Sequence, residues 1–361
     1  MATTDDVVTP LLQAPRQQGE KAGLYTQSSM SSNRADDPAI FTLPTFTQAR
    51  VVGKRKLPQS IAHRGFKAKC PENTMCAFKT AIEKGRAHAI ETDIHLSKDN
   101  VVVLSHDTDL KRCFGRQERI IECDWQFLSQ LRTIKAPHEP MPRLQDLLEY
   151  IANPELQHIW ILLDIKLDND ADSVMRLIAE TLASVSSGPN RWPSRVVLGF
   201  WAAKYLDLCA KYLPEYPVAN IGFSTCHSRQ FLKVPHVGFN MFAKALYGPI
   251  GTRFIKDVQA AGRPLYIWTV NEPNIMRWGI AKGVDGVITD NPELFNQICD
   301  DFDPDRDSAH ITLSQWLSTF WLYIMLALFS IPLRHRLAGS ADSFLKRRQT
   351  LKVKSTLALG A

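Results

Sequence analysis

From Gln59 onward, short runs rich in β-branched and aromatic residues alternate with stretches of helical period, and this alternation restricts the fold more than any other feature of the chain. Gln59 to Gly65, Ala89 to Ser97, Val101 to Asp107, Ile159 to Leu167, Arg195 to Trp201, Val218 to Ser224, Pro264 to Val270 and Asp285 to Asp290 read as strands or strand ends. Thr74 to Lys84, Leu144 to Ile151, Ser173 to Ser184, Thr252 to Ala261 and Asn274 to Lys282 read as amphipathic helices between them. Such alternation over about 240 residues predicts a parallel α/β architecture, and the span suits a (β/α)8 TIM barrel. A doubly wound sheet is the alternative. Where the polar residues fall decides between them, because a barrel gathers the C-terminal ends of its strands at one mouth. Thr108 to Pro142 breaks the alternation with Cys, Trp, His and Pro, which predicts an insertion after the second strand.

The barrel is expected over residues 57–303, between two segments of different composition. Residues 1–56 are rich in Ser, Thr, Gln, Asp and Pro and hold no sustained period, so they read as a disordered N-terminal tail. Residues 308–333 lack Asp, Glu, Lys and Arg, and the apolar part from Ile311 to Leu333 would reach roughly 35 Å as a helix, enough for a hydrocarbon core of about 30 Å. Trp316, Trp321 and Tyr323 add interfacial aromatics, and Arg334, Arg336, Lys346, Arg347 and Arg348 follow. This predicts a membrane-associated segment at 308–333 and a basic C-terminal tail at 334–361.

That tail holds 7 basic residues and one acid, Asp342, so it carries the whole formal charge of +6 and leaves the body neutral. A neutral body excludes nucleic acid as a partner, since that affinity needs clustered cations. The 7 cysteines form no CxxC pair and no zinc spacing, and the first 50 residues hold no secretory apolar run. Reduced thiols and a body facing the cytosol follow. Because the basic tail also prefers the cytosolic side, a segment that enters and returns is favoured over a single span.

Polar residues fall at successive strand ends. Glu91 and Asp93 lie at i and i+2 on an apolar strand, so they share one face, which in a barrel is the interior. Asp164 and Lys166 repeat the arrangement within Ile159 to Leu167; Ser105-His106-Asp107 and His63-Arg64-Gly65 end two other runs. Each has an ordinary structural reading: an ion pair, a hydrogen-bonded histidine, a solvated edge. Their coincidence at one mouth weighs against that reading for the whole set. Phosphodiester cleavage needs such a set. Carboxylates at Glu91, Asp93 and Asp164 suit a hard divalent ion, Mg²⁺ or Ca²⁺. Arg64 and Lys166 would hold the phosphate, and His63 and His106 would divide the proton transfers.

Ala62-His63-Arg64-Gly65-Phe66, Pro71-Glu72-Asn73-Thr74, Ile90-Glu91-Thr92-Asp93, His106-Asp107, Leu163-Asp164-Ile165-Lys166, Tyr266-Ile267-Trp268-Thr269-Val270-Asn271 and Asp285-Gly286-Val287-Ile288-Thr289-Asp290 together resemble the glycerophosphodiester phosphodiesterase family over residues 59 to 295. The resemblance implies a TIM barrel, a divalent ion, His63 and His106 as acid and base, and cleavage of a glycerol phosphodiester. Some members carry Glu where this chain has Asp164, which bears on the identity of the ion. Trp268 is then a candidate wall of the headgroup pocket.

Among subgroups, the chain looks most like the fungal phosphatidylglycerol-specific phospholipases C. That likeness implies hydrolysis of phosphatidylglycerol to diacylglycerol and glycerol phosphate, with a phospholipid and a membrane surface as partners and no protein partner indicated. Lysophospholipase D action, or action on other glycerol phosphodiesters, is the alternative. A non-enzymatic scaffold is disfavoured by the intact carboxylates and histidines. The endoplasmic reticulum, the lipid droplet and the mitochondrial outer membrane are the expected locations.

Overall fold

The computed structural model describes residues 40–306, 311–328 and 339–359. A hairpin of β1 (Arg50–Val52) and β2 (Arg55–Leu57) precedes the strands β3 (Gln59–His63), β4 (Ala89–Leu96), β5 (Val102–Leu104), β6 (Trp160–Ile165), β7 (Val196–Phe200), β8 (Val218–Gly222), β9 (Gly238–Phe242), β10 (Leu265–Trp268) and β11 (Gly286–Thr289). All but β5 pair in parallel in the order β3-β11-β10-β9-β8-β7-β6-β4, and β3 pairs with β4 to close an eight-stranded barrel. The expected (β/α)8 architecture is therefore the fold, and the doubly wound alternative is excluded by closure.

The two faces of each strand have different partners. On β6, Trp160 and Leu162 join Ile61, Ala89, Val197, Ala219, Tyr266 and Ile288 inside the barrel. Ile161, Leu163 and Ile165 face the helices, for example Leu144, Leu147, Leu148 and Ile151 of the helix Leu144–Ile151. That period of 2 places Asp164 inside, and the same rule places Glu91 and Asp93 inside on β4.

Three expectations change. Val101 to Asp107 is not a barrel strand: only Val102–Leu104 is extended, and it pairs antiparallel with the overhanging end of β4 as part of the insertion. The barrel strand Gly238–Phe242 was not anticipated, because it opens on Gly and carries Asn in a short run. Residues 40–56 are not an unstructured tail. Phe41 and Thr47 are buried, Phe46 packs on Trp160, and the hairpin follows. Residues 1–39 of the expected tail lie outside the described residues.

The described part of the expected membrane segment is a 16-residue helix, Leu313–Leu328; among the described residues no helix is long and apolar enough to cross a membrane. The basic tail includes a helix, Ala341–Leu359.

Candidate active site

Strand β3 delivers His63 to the mouth and then turns sharply, with Arg64 at φ 57° and Gly65 at φ 81°. A Cβ on Gly65 would lie 2.6 Å from that of Ala77, so the turn requires glycine. The turn aims the Arg64 amide at Glu91, where it donates to the main-chain oxygen at 2.9 Å and to Oε2 at 3.0 Å. Asn73 is also left-handed, at φ 52°, and is buried. Its Nδ2 donates to Asp93 Oδ2 at 2.8 Å while its Oδ1 accepts from Thr92 at 2.8 Å. The Pro71 to Thr74 segment thus clamps the carboxylate strand.

Carboxylate oxygens of Glu91, Asp93 and Asp164 lie within 4.8 Å of one another, all buried. Lys166 Nζ bridges Asp93 Oδ1 at 2.6 Å and Asp164 Oδ2 at 2.5 Å, and Trp201 Nε1 donates to Asp164 Oδ1 at 2.7 Å. Arg64 Nε lies 3.3 Å from Asp93 Oδ2, an ion pair without hydrogen-bond alignment. Burial would raise Asp93, but the charges of Lys166 and Arg64 hold it well below the usual carboxylate range. Glu91 goes the other way: burial, then the charges of Asp93 and Asp164, push it far up. A divalent ion could take the place of the proton that burial keeps on Glu91, and clustered hard oxygen donors suit such an ion. These residues fit one.

His63 Nδ1 lies 2.6 Å from Asp290 Oδ1, and Asp290 is fixed by Asn271 Nδ2 at 2.9 Å. Burial lowers the His63 pKa despite that carboxylate. His106 reaches the mouth by another route. The β4–β5 pairing turns the chain back, so that Ser105 N donates to Asp93 O at 3.1 Å and buried His95 Nε2 lies 3.2 Å from His106 O. The His106 ring, also lowered chiefly by burial, rests on Asp107 Oδ1 at 2.8 Å. With Nδ1 engaged in both rings, Nε2 is the free nitrogen.

Arg112 Nε donates to Asp107 Oδ2 at 2.6 Å, and its two terminal nitrogens grip Glu72 at 2.8 and 2.7 Å. Arg64 Nη1 holds the same Glu72 at 2.8 Å. Burial would raise Glu72, but Arg112 and Arg64 together hold it at about 2. One chain of ion pairs therefore ties the insertion to the turn after β3.

These groups line a cavity of about 170 Å³. His63, Arg64, Glu91, Asp93, His106, Asp164, Lys166 and Trp268, the residues singled out in the sequence, all face it. Trp268 packs on Trp201 with ring centres 5.8 Å apart and on Phe242 at 5.2 Å. Trp201 and Asn240 were missed, and Asn240 Oδ1 is buried without a hydrogen-bond partner. Glu72 and Asn73 belong to the Pro71–Thr74 motif and Asp290 to the Asp285–Asp290 motif, where no role was read for them; their polar character there was the signal, and nothing local marked Asn240.

The sequence profile described as the glycerophosphoryl diester phosphodiesterase family matches residues 63–294, more than half of the chain. A probable glycerophosphodiester phosphodiesterase 2 of Mycobacterium tuberculosis is 25% identical over 66% of this chain and 89% of its own length. Human lysophospholipase D GDPD1 is 24% identical, over 78% of this chain and 98% of its own. In the fold, a phosphodiesterase of Oleispira antarctica solved with its product sn-glycerol-3-phosphate matches with a TM-score of 0.59 at 21% identity, over 67% of this chain and 97% of that one. A Silicibacter pomeroyi structure matches with 0.61 at 20% identity, over 71% and 96%.

Proposed function

This chain belongs to the glycerophosphoryl diester phosphodiesterase family, enzymes that hydrolyse glycerophosphodiesters, and on that premise we propose that it is a phospholipase C that cleaves phosphatidylglycerol to diacylglycerol and glycerol phosphate. The observation that carries the choice is the polar lining of the cavity of about 170 Å³, where the unpartnered Asn240 Oδ1 offers an acceptor for a hydroxyl of an unacylated glycerol, as in the headgroup of phosphatidylglycerol. The likeness to fungal phosphatidylglycerol-specific phospholipases C points the same way.

In this reading His63 Nε2 takes the proton of the headgroup 2-hydroxyl, whose oxygen attacks phosphorus, a neighbouring attack with high effective concentration. The bond from phosphorus to the diacylglycerol oxygen breaks, and His106, at the rim, gives that oxygen a proton. Water then opens the cyclic phosphate with the two histidines in exchanged roles. Arg64 and Lys166 hold the phosphoryl oxygens, and Trp268 walls the glycerol. Glu91, Asp93 and Asp164 would hold Mg²⁺ or Ca²⁺, which supplies electrostatic stabilisation of the phosphoryl charge when bound.

The test is product analysis on a mixed-lipid panel, with the ion added back after chelation. Diacylglycerol from phosphatidylglycerol is expected, and a headgroup lacking its 2-hydroxyl should bind without reacting. Rapid cleavage of that analogue sinks the cyclic route. Lysophospholipase D action is the second reading, favoured by the human relative's match over 78% of this chain. It requires an acylated glycerol in the cavity, and preferential release of choline from lysophosphatidylcholine would establish it instead.

A further inference from the structure

The helix Leu313–Leu328 is turned inside out relative to an ordinary surface helix. Its buried positions are polar: Gln315 is 8% exposed and Thr319 3%. Its outward positions are large and apolar, with Leu313 77% exposed, Trp321 62%, and Trp316, Leu317 and Phe320 between them. These recur at i, i+3, i+4, i+7 and i+8, a continuous stripe along one face. Exposed Ile250 extends the patch onto the adjoining helix Gly248–Ala260, whose Gly248 abuts the Trp316 ring. A contiguous apolar surface of this kind marks an interaction site.

The polar face is latched to the rim of the barrel mouth. Gln315 Nε2 donates to Glu272 Oε2 at 2.8 Å, and Gln315 Oε1 accepts from Asn274 Nδ2 at 3.2 Å. Glu272 lies four residues beyond Trp268, on the connection leaving the C-terminal end of β10. The helix also packs on Ala243–Leu246, the turn leaving the same end of β9. Both connections belong to the face that carries the catalytic cavity.

We infer that the outward stripe of Leu313–Leu328 docks into a lipid surface and holds the barrel mouth against it, so that a lipid headgroup enters the cavity directly from that surface. This rests on the proposed lipid substrate. Two observations favour a lipid surface as the occupant. Two tryptophans stand in the stripe, the residue type that settles at the headgroup level. The next described helix carries exposed Lys346 and Arg348, complementary to anionic lipid, beside Arg347, which pairs with Asp207.

The test uses the full chain with vesicles of phosphatidylcholine containing phosphatidylglycerol, reading flotation and turnover separately. The parent should float. The combined variant Leu317→Glu, Phe320→Glu, Trp321→Glu should stay unbound and lose at least about tenfold in turnover of vesicle phosphatidylglycerol, while cleaving monomeric short-chain phosphatidylglycerol at the parent rate. Gln315→Ala, which loosens the latch, should still float but cleave vesicle lipid more slowly. A combined variant that floats like the parent overturns the proposal, as does a lipid-free dimer that the same substitutions dissociate, which would assign the stripe to a second copy. Undiminished vesicle turnover by Gln315→Ala overturns the orienting role. Flotation without cleavage of either form of phosphatidylglycerol overturns the substrate reading and leaves the docking supported.

Discussion

The two ends of the barrel are built from the same strands, but the side-chain layers that fill them differ in how their polar groups are used. At the N-terminal end, Trp160, Tyr266 and Phe46 pack with ring centres 5.7 and 5.9 Å apart. Trp160 Nε1 donates to Gln59 Oε1 at 2.7 Å, Gln59 Nε2 to main-chain oxygens of Phe46 and Gln48, and the Tyr266 hydroxyl to Thr47. Four residues further along β3 and β6 come His63 and Asp164, in a cavity where Glu91 is forced toward its neutral form and Asn240 Oδ1 has no partner. The Trp160, Gln59 and Tyr266 layer gains stability from its pairing; the mouth keeps a neutral carboxyl and an unpaired amide oxygen for a ligand to complete.

The sharpest way to break that contrast is to remove proton transfer at the open end. His63→Ala and His106→Ala should each cost about 10²- to 10⁴-fold in turnover with the melting temperature little changed. If the double variant keeps turnover within a few-fold of the parent, the assignment of both histidines is wrong. At the closed end the pattern should invert. Trp160→Ala should cost about 3–5 kcal/mol in denaturant unfolding while leaving the rate per folded molecule near that of the parent.

Glu72 probes the link between insertion and site. Its carboxyl is lowered from 4.5 to about 2 in the folded chain, so its contribution is complete above pH 4.5 and is lost as pH falls toward 2. That difference corresponds to about 3 kcal/mol. Glu72→Gln should therefore lie below the parent in stability at pH 7 by an amount of that order, and the gap should shrink at pH 3; an equal gap at both pH values excludes the ion-pair account. The smallest expected effect is that of Asn240→Ala, about tenfold in kcat/KM at unchanged stability, the loss of one hydrogen bond to a glycerol hydroxyl. An identical loss on a substrate lacking that hydroxyl would remove Asn240 from headgroup recognition.

The barrel and the inward direction of its carboxylates were legible because both depend on local period. Glu91, Asp93 and Asp164 sit on strands whose alternation of faces holds from the first residue to the last, and Lys166 follows one residue beyond β6, so closure of the sheet could only bring them together. The helix Leu144–Ile151 was legible for the same reason, its apolar residues recurring at helical spacing.

What depended on partners distant in sequence was settled by folding alone. Val102–Leu104 is as apolar as a barrel strand, and only its antiparallel pairing with β4 shows that it is a return path that lifts His106 over Asp93. Asp290 orients His63 across 227 positions, and Glu72 meets Arg112 across 40, contacts for which no spacing rule exists. An apolar run such as Leu313–Leu328 states that a surface will be buried but not against what. The polar latch from Gln315 to Glu272 decided that, since hydrogen bonds to the rim of the barrel hold the polar face inward and leave the apolar stripe outward.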